Sequence, residues 1–232
     1  TLRSRGLGDV YKRQLLISIF LVVYFYREIL KRIRSLSIKN TQEIKSQHSS
    51  EISFSDVELD RYSRHMIMRE IGGLGQKKLK SASVLVVGAG GLGSPVLQYL
   101  SAAGIGTIGI IDDDVVDQSN LQRQVIHNDH SIGLPKVFSA QKAIEDQNPY
   151  IKVKPYNRRL SRDIASELLS EYDIIIEGSD NFETRYLVNE VAKSLSKVVV
   201  SGALSQWEGQ VMVFDHSCLL YTSDAADEVS WV

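Results

Sequence analysis

A glycine-rich turn in this chain has residue types that suit the binding of phosphate groups. The apolar run Val84–Val87 leads directly into Gly88-Ala89-Gly90-Gly91-Leu92-Gly93, and a helix-like stretch follows. Glycines carry no side chain, so backbone N–H groups and a helix N-terminus can approach a phosphate closely. A second apolar run, Thr107–Ile111, ends at Asp112, 19 positions past Gly93. That spacing places an acid beside a ribose, so the pattern predicts a nucleotide site at Gly88, Gly90, Gly91, Gly93 and Asp112.

The alternative for the glycine turn alone is close packing of a strand against a helix, without any ligand. Asp112 at the correct spacing favours a nucleotide site over packing alone, and the residues after Asp112 indicate which kind of nucleotide would bind. Arg123 follows the second strand closely, and Lys136 opens a later helix. Two cations in one crevice suit a triphosphate and the charge that moves onto a departing pyrophosphate. Taken singly, each cation is equally well explained as a solvated surface charge.

An acidic residue follows a third apolar strand of the chain. Ile174-Ile175-Ile176 leads into Glu177-Gly178-Ser179-Asp180-Asn181. Ligands bind outside the carboxyl ends of such strands, and Mg²⁺ takes one or two carboxylates together with phosphate oxygens. Asp180 is therefore a candidate metal ligand. Its alternative role is to cap the helix that begins near Asn181, and both roles are compatible.

Strands and helices alternate along the chain. Ser55 and Glu58 form a capping box that opens the first helix of the globular part. Strands alternating with helices of this length predict an α/β fold, a Rossmann-like and mainly parallel sheet with helices on both faces. The predicted helices are 56–70, 76–81, 91–103, 135–147, 161–169 and 181–195, and the predicted strands are 84–87, 107–111, 151–156, 173–177, 197–201 and 208–214.

Composition and charge are those of an ordinary globular protein. The 27 Lys and Arg residues nearly balance the 28 Asp and Glu residues, and 43% of residues are hydrophobic. The formal charge of −1 gives no reason to expect a nucleic-acid partner. The single cysteine, Cys218, excludes a disulfide framework and favours a reducing compartment.

The two ends of the chain have an unusual relationship. Asp9–Gln14 and Cys218–Thr222 can be encoded by opposite strands of one short DNA segment. We therefore interpret residues 1–14 and 218–232 as translated sequencing-adapter artefacts and exclude them from fold reasoning. On this interpretation the natural fragment is roughly Leu15–Ser217, cut at both ends, and its sheet is expected to be C-terminally truncated.

An apolar stretch follows the first suspected artefact. Leu15–Tyr26 is uncharged and mostly apolar, and several cations follow it. A membrane span needs roughly twenty such residues, so residues 15–34 predict an N-terminal apolar helix that a missing upstream part could complete. The positive-inside rule would keep the rest in the cytoplasm, tethered to the inner membrane through the polar linker 35–54. The alternatives are a buried helix or a further artefact.

Seven short motifs occur in a fixed order and together carry a family resemblance. The ordered set, which covers about Val57–Phe214, resembles the ThiF/MoeB/HesA family of adenylyltransferases, and most closely its molybdopterin-synthase branch. The motifs are Arg61-Tyr62-Ser63-Arg64-His65, Gly88–Gly93, Asp112-x-Asp114, Ser119–Gln124, Gly133-x-Pro135-Lys136, Ser179-Asp180-Asn181 and Glu208-Gly209-Gln210.

The resemblance implies a reaction and a set of partners. The C-terminal glycine of a ubiquitin-fold sulfur carrier would attack Mg·ATP, giving an acyl-adenylate and pyrophosphate. The catalytic residues implied are Arg123, Lys136, Asp180 as the Mg²⁺ ligand, and Arg64, which would reach a neighbouring subunit's site in a homodimer. The further nucleotide contacts implied are Gly88, Gly90, Gly91, Gly93, Asp112, Asp114, Ser119, Asn120 and Asn181.

The chain also departs from the family pattern. Such proteins often continue into paired Cys-x-x-Cys zinc ligands and sometimes a catalytic cysteine, so Zn²⁺ is expected only in a missing C-terminal part. Two other functions stay open: an NAD- or FAD-dependent oxidoreductase using the same glycine turn, and a nucleotide-binding module without catalytic activity. Pyrophosphate exchange that requires a carrier ending in Gly-Gly would separate the adenylyltransferase from both.

Overall fold

The computed structural model describes residues 53–215, together with Phe25, Arg27 and Glu28. All elements below belong to the second of two units into which the chain divides, Phe54–Val232. The helices are α1 (Asp56–Arg61), α2 (Ser63–Ile67), α3 (Gly72–Ser81), α4 (Gly93–Ala103), α5 (Lys136–Gln147), α6 (Arg162–Ser170) and α7 (Phe182–Ser194). The strands are β1 (Ser83–Val87), β2 (Thr107–Asp112), β3 (Lys152–Asn157), β4 (Ile174–Glu177), β5 (Val198–Leu204) and β6 (Gly209–Asp215).

The six strands form one sheet in the order β3-β2-β1-β4-β5-β6. Four of the five pairings are parallel, and only β5 and β6 pair antiparallel. The strand order reverses between β1 and β4, because the chain first moves outward through β2 and β3 and then returns. In such sheets the crevice at the reversal is the usual ligand site. The predicted Rossmann-like, mainly parallel sheet is confirmed.

Helices cover both faces of the sheet, as the burial along β1 demonstrates. Val84 and Val86 pack in one cluster with residues of α4 and α5. Leu85 and Val87 pack in a second cluster with residues of α6 and α7. Successive side chains of a strand point to opposite faces, so a strand buried on both faces reads as a continuous apolar run.

The edge strand β3 contains a proline. The Lys152 N–H donates to Gly106 O at 3.0 Å, on the side of β2. Backbone groups alternate sides along a strand, so Pro155, three residues later, faces the outer edge. Its missing N–H therefore costs no hydrogen bond within the sheet.

The predicted helix 56–70 is wrong in its extent. The capping box is present, with Ser55 Oγ accepting from the Glu58 N–H. The helix nevertheless breaks at Tyr62, which has φ −99° and ψ 9°, and a second short helix ends at Ile67. Tyr62 is buried, and its hydroxyl accepts a hydrogen bond from Asn148 Nδ2 at 2.8 Å. Tertiary packing of this tyrosine thus overrides the helical pattern.

Two further boundaries differ from the predictions. Helix α3 begins at Gly72 rather than near Gln76, and the buried Gln76 joins this helix to Ala103 O through a hydrogen bond of 2.8 Å. Strand β5 continues to Leu204, where it pairs with Gly209 of β6. The other predicted elements agree with the structure to within about two residues, the usual uncertainty of helix boundaries.

The predicted apolar helix 15–34 and the linker 35–54 lie almost wholly outside the described residues. So do the suspected artefacts 1–14 and 218–232. Among the residues that the structure describes, no helix is long and apolar enough to cross a membrane.

Candidate functional site

A cleft of about 850 Å³ opens at the carboxyl ends of β1, β2 and β4, where the strand order reverses. The structure brings most of the predicted residues to its wall. Those are Gly88, Gly90, Gly91, Asp112, Asp114, Asn120, Arg123, Lys136, Asp180 and Asn181.

The glycine turn is shaped by contacts that exclude side chains. Gly88 has φ +95°, in the left-handed region, and a Cβ there would lie 3.1 Å from Gly178 O. A Cβ on Gly93 would lie only 1.9 Å from Gly88 O. By contrast, a Cβ on Gly91 would meet nothing closer than Arg123 Cδ at 3.7 Å. Gly88 and Gly93 are therefore required by the fold itself, while Gly91 leaves open space on the cleft side.

Asp112 ties the turn to the end of β2. Its Oδ2 accepts a hydrogen bond from the Ala89 N–H at 2.7 Å, and its Oδ1 accepts one from the Asp114 N–H at 2.8 Å. Each carboxylate oxygen has two lone pairs, so both can accept a further hydrogen bond from a ligand hydroxyl. The predicted ribose contact is compatible with this geometry.

Lys136 reaches the cleft because two loops run side by side. The Val116 N–H donates to Leu134 O, and the Lys136 N–H donates to Asp114 O, both at 2.9 Å. Lys136 thereby begins α5 next to the end of β2, and its Nζ forms an ion pair with Asp114 Oδ2 at 2.7 Å. The lysine side chain is almost fully buried, whereas the carboxylate is largely exposed.

Arg123 lies beside the glycine turn and belongs to the loop after β2. It donates from Nη1 to Ser119 O at 3.2 Å. Ser119 belongs to a short 3₁₀ turn, Gln118–Asn120, in which Asp117 accepts the Ser119 N–H at 2.8 Å. Hydrogen bonds from the side chain and the backbone N–H of Ser119 lower the pKa of the Asp117 carboxyl. Ser119 is not among the residues that line the cleft, and its contact with a nucleotide stays a prediction.

The loop after β4 contains Asp180, for which the sequence left two roles, metal ligand and helix cap. Asn181, not Asp180, caps α7, since Asn181 Oδ1 accepts the Thr184 N–H at 2.8 Å. Asp180 is exposed and lines the cleft, where its carboxylate is a suitable hard oxygen ligand for Mg²⁺. The capping alternative for Asp180 is therefore wrong, and Asn181 has a structural role that the sequence reading assigned to its neighbour.

Besides Ser119, two predicted site residues do not line the cleft. Gly93 is buried beneath the turn at the start of α4. Arg64 is exposed on α2 and does not line the cleft of its own chain.

A buried ion pair beneath the cleft was missed by sequence reasoning. Glu177 is 1% exposed and accepts hydrogen bonds from Arg185 Nε at 3.0 Å, Ser201 Oγ at 2.6 Å and Ser179 N at 2.8 Å. Arg185 also donates to Gly202 O at 3.0 Å. The network joins the loop after β4 to α7 and β5, and so holds the Asp180 segment in place.

Three further polar residues of the cleft were also missed. Arg158 and Arg159 follow β3 directly and line the cleft, and their position after a strand was the signal that could have found them. Gln124 is buried, and its Oε1 has no hydrogen-bond partner among the described residues. An unpaired buried acceptor beside a cleft points to a partner that the ligand or a water supplies.

The protein belongs to the class of doubly wound α/β domains with a polar cleft at the switch point of the sheet. The reversal of strand order, the glycine turn and the polar wall of the cleft define that class. The family is defined by the sequence. The model of the ThiF family matches residues 62–228, and the chain belongs to that family.

Curated relatives are named for related activities. The sulfur carrier protein adenylyltransferase of Thermus thermophilus is 52% identical over 162 residues, covering 70% of this chain and 60% of that protein. The probable molybdopterin-synthase adenylyltransferase of Porphyra purpurea is 48% identical, covering 71% and 43%. The SAMP-activating enzyme E1 of Haloferax volcanii is 46% identical, covering 72% and 63%. The matched region thus spans 43 to 63% of these relatives' lengths.

Solved structures share the fold. PaaA superposes with a TM-score of 0.66 at 25% identity, covering 82% of this chain and 61% of that one. The E. coli tRNA N6-threonylcarbamoyladenosine dehydratase TcdA, in complex with ATP, gives a TM-score of 0.62 at 25% identity, covering 66% and 63%.

Proposed function

We propose that the full-length protein adenylylates the C-terminal glycine of a ubiquitin-fold sulfur-carrier protein, using ATP. The observation that carries the proposal is the shared cleft: two cations, Arg123 and Lys136, and one exposed carboxylate, Asp180, line it together with the glycine turn. Family membership and the names of the relatives support the same chemistry.

In this proposal the backbone of the glycine turn and the N-terminus of α4 receive the phosphates. Asp112 accepts from the ribose, and Asn120, Arg123 and Lys136 contact the phosphate oxygens. A carboxylate oxygen of the carrier attacks the α-phosphorus, the bond to the α,β-bridging oxygen breaks, and its electron pair leaves with pyrophosphate. Positioning and charge neutralisation carry most of such a reaction.

Asp180 would hold Mg²⁺ on the side of the cleft formed by the loop after β4. When bound, the ion neutralises phosphate charge and helps to orient the triphosphate.

The test is pyrophosphate exchange by the full-length protein with ATP and a carrier ending in Gly-Gly. We expect incorporation of labelled pyrophosphate into ATP that depends on the carrier and stops when its C-terminal glycine is removed. Tight NAD binding with no exchange would instead support an oxidoreductase. ATP binding without exchange for any Gly-Gly carrier would support a non-catalytic module.

We further propose a homodimer in which Arg64 of one subunit acts at the cleft of the other. Its exposure on α2, away from its own cleft, is compatible with a contact in trans. Mixing Arg64→Ala and Lys136→Ala chains should restore activity, because mixed dimers contain one site with neither defect. Absence of recovery, with mixed dimers demonstrated by mass, would contradict this assignment.

A further inference from the structure

A buried histidine connects three segments of the cleft. His127 is 6% exposed, and it lies in the same irregular segment as Arg123. Its Nε2 is 3.1 Å from Ala89 O in the glycine turn, and its Nδ1 is 2.8 Å from Ser139 Oγ on α5. Ser139 is three residues, or nearly one helical turn, past Lys136. One imidazole therefore contacts the turn, the helix of Lys136 and the segment of Arg123.

The partners of His127 determine its tautomer. Ala89 O can only accept, so Nε2 must carry the proton, and Nδ1 then accepts from the Ser139 hydroxyl. Both ring nitrogens are satisfied in this neutral form. Burial lowers the pKa of His127, and the nearby Lys136 lowers it further against opposing effects of the Ala89 hydrogen bond and of Asp112. The neutral form is thus also the one that the surroundings favour.

The contact to Ala89 O fixes the orientation of one peptide group of the turn. The described peptide bonds are trans, and a trans peptide holds its C=O and N–H antiparallel. Ala89 O also accepts from Ser94 Oγ at 3.3 Å. With its oxygen held on the buried side, the Ala89–Gly90 peptide directs the Gly90 N–H the opposite way, and Gly90 lines the cleft.

We propose that His127 is a positioning residue: it orients the Ala89–Gly90 peptide and fixes the turn to the helix of Lys136, so that both sides of the phosphate site are preorganised. The expected effect of His127 on ATP binding rests on the proposed function. The effect of His127 on the glycine turn is independent of any ligand. A histidine that only filled the core would affect stability but neither the turn nor ATP affinity.

Two substitutions in the full-length protein separate these roles. His127→Phe keeps the ring and removes both hydrogen bonds, whereas His127→Gln can still donate to Ala89 O and accept from Ser139. We expect His127→Phe to raise the dissociation constant for Mg·ATP by about tenfold, the scale of one lost buried hydrogen bond. His127→Gln should recover most of that affinity. The matched controls are His130→Phe and His130→Gln, because His130 is exposed in the same segment.

Hydrogen exchange of the amides in 88–94, measured without nucleotide, supplies a second readout. We expect faster exchange in His127→Phe than in wild type or His130→Phe, at a temperature well below all melting transitions. Unchanged exchange together with wild-type ATP affinity in His127→Phe would overturn the proposal. If the wild type binds no ATP, the proposed function fails, yet the exchange comparison still decides whether His127 positions the turn.

If His127→Phe does not fold, Ser139→Ala replaces it, since this change removes only the contact to α5. We expect Ser139→Ala to weaken Mg·ATP binding relative to wild type by between about twofold and tenfold, the scale of one lost hydrogen bond, without a matching loss of melting temperature. Equal affinity for Ser139→Ala and wild type would remove the contact to α5 from the proposal.

Discussion

Lys136 Nζ lies 2.7 Å from Asp114 Oδ2, and the two side chains differ sharply in exposure, 7% for the lysine and 68% for the aspartate. A buried ammonium needs a partner, and Asp114 supplies one while remaining in contact with solvent. A phosphate oxygen can therefore replace Asp114 at the lysine without leaving either charge buried and unpaired. The pair holds the ammonium group of Lys136 at the wall of the cleft.

Removing either cation should impair the chemical step. We expect Lys136→Ala and Arg123→Ala to slow adenylate formation at least about 100-fold, the scale of one lost preorganised charge contact. Carrier-dependent pyrophosphate exchange measures this rate. The matched control is Lys142→Ala, an exposed lysine of the same helix. Near-normal exchange in either cleft variant would remove that cation from the site.

The neighbouring Asp180 and Asn181 should give opposite phenotypes. Asp180→Asn should abolish Mg²⁺-dependent turnover with little change in melting temperature, because Asp180 is exposed and does not cap α7. Asn181→Ala should instead lower the free energy of unfolding by about 1 kcal/mol through loss of the cap. Mg²⁺ titration of turnover and thermal unfolding of both variants check this. Normal metal dependence in Asp180→Asn would argue against its role as a ligand.

The buried ion pair should matter more for stability than an exposed one. Arg185→Ala leaves the Glu177 carboxylate buried without its cation, and we expect a loss of about 3 kcal/mol in the free energy of unfolding. The control is Arg162→Ala, which breaks the bidentate but exposed pair with Glu190. That change should leave the melting temperature nearly unaltered. Similar losses in both variants would contradict the distinction.

The glycines of the turn should separate into two groups. In Gly93→Ala the new Cβ would overlap Gly88 O, so the turn must shift, and we expect a loss of about 3 kcal/mol in stability. In Gly91→Ala the Cβ meets only ordinary contacts, so the protein should fold normally. It should nevertheless bind ATP about tenfold more weakly, because the methyl group displaces the phosphates. Denaturant unfolding and ATP titration distinguish the two outcomes.

His127 should make stability depend on pH in a defined direction. Its folded pKa lies below the ordinary value of 6.5, so on acidification the unfolded chain takes up this proton first. Stability is therefore unaffected by this group above about pH 7 and decreases as the pH falls below 6.5. Between about pH 7 and pH 5 the wild type should lose more stability than His127→Gln. Parallel pH profiles of unfolding for the two proteins would contradict this.

Local signals predicted most of the sheet and much of the cleft. Runs such as Ile174–Ile176 identify buried parallel strands, and the ends of those strands identify a common edge. Asp112, the last residue of β2, and Asp180, in the loop after β4, were found for this reason.

Contacts between distant segments were beyond local reasoning. The partners of Glu177 include Ser201, which only the order of the strands brings near. In the sequence, nothing distinguishes His127 from an ordinary core residue, because its contacts with the glycine turn and with α5 depend on the fold. Tyr62 ends a helix because it packs against Asn148, whose position depends on the whole fold. Arg158 and Arg159 did follow a strand, and they were missed because no motif surrounded them.

Pro155 has a consequence for how the protein behaves at high concentration. An outer strand with free N–H groups can template the addition of a strand from another molecule, which begins edge-to-edge aggregation. At the β3 margin, an incoming strand would find no donor at this proline and would clash with its ring. The β3 end of the sheet is thereby protected from strand addition by a residue that does not line the cleft.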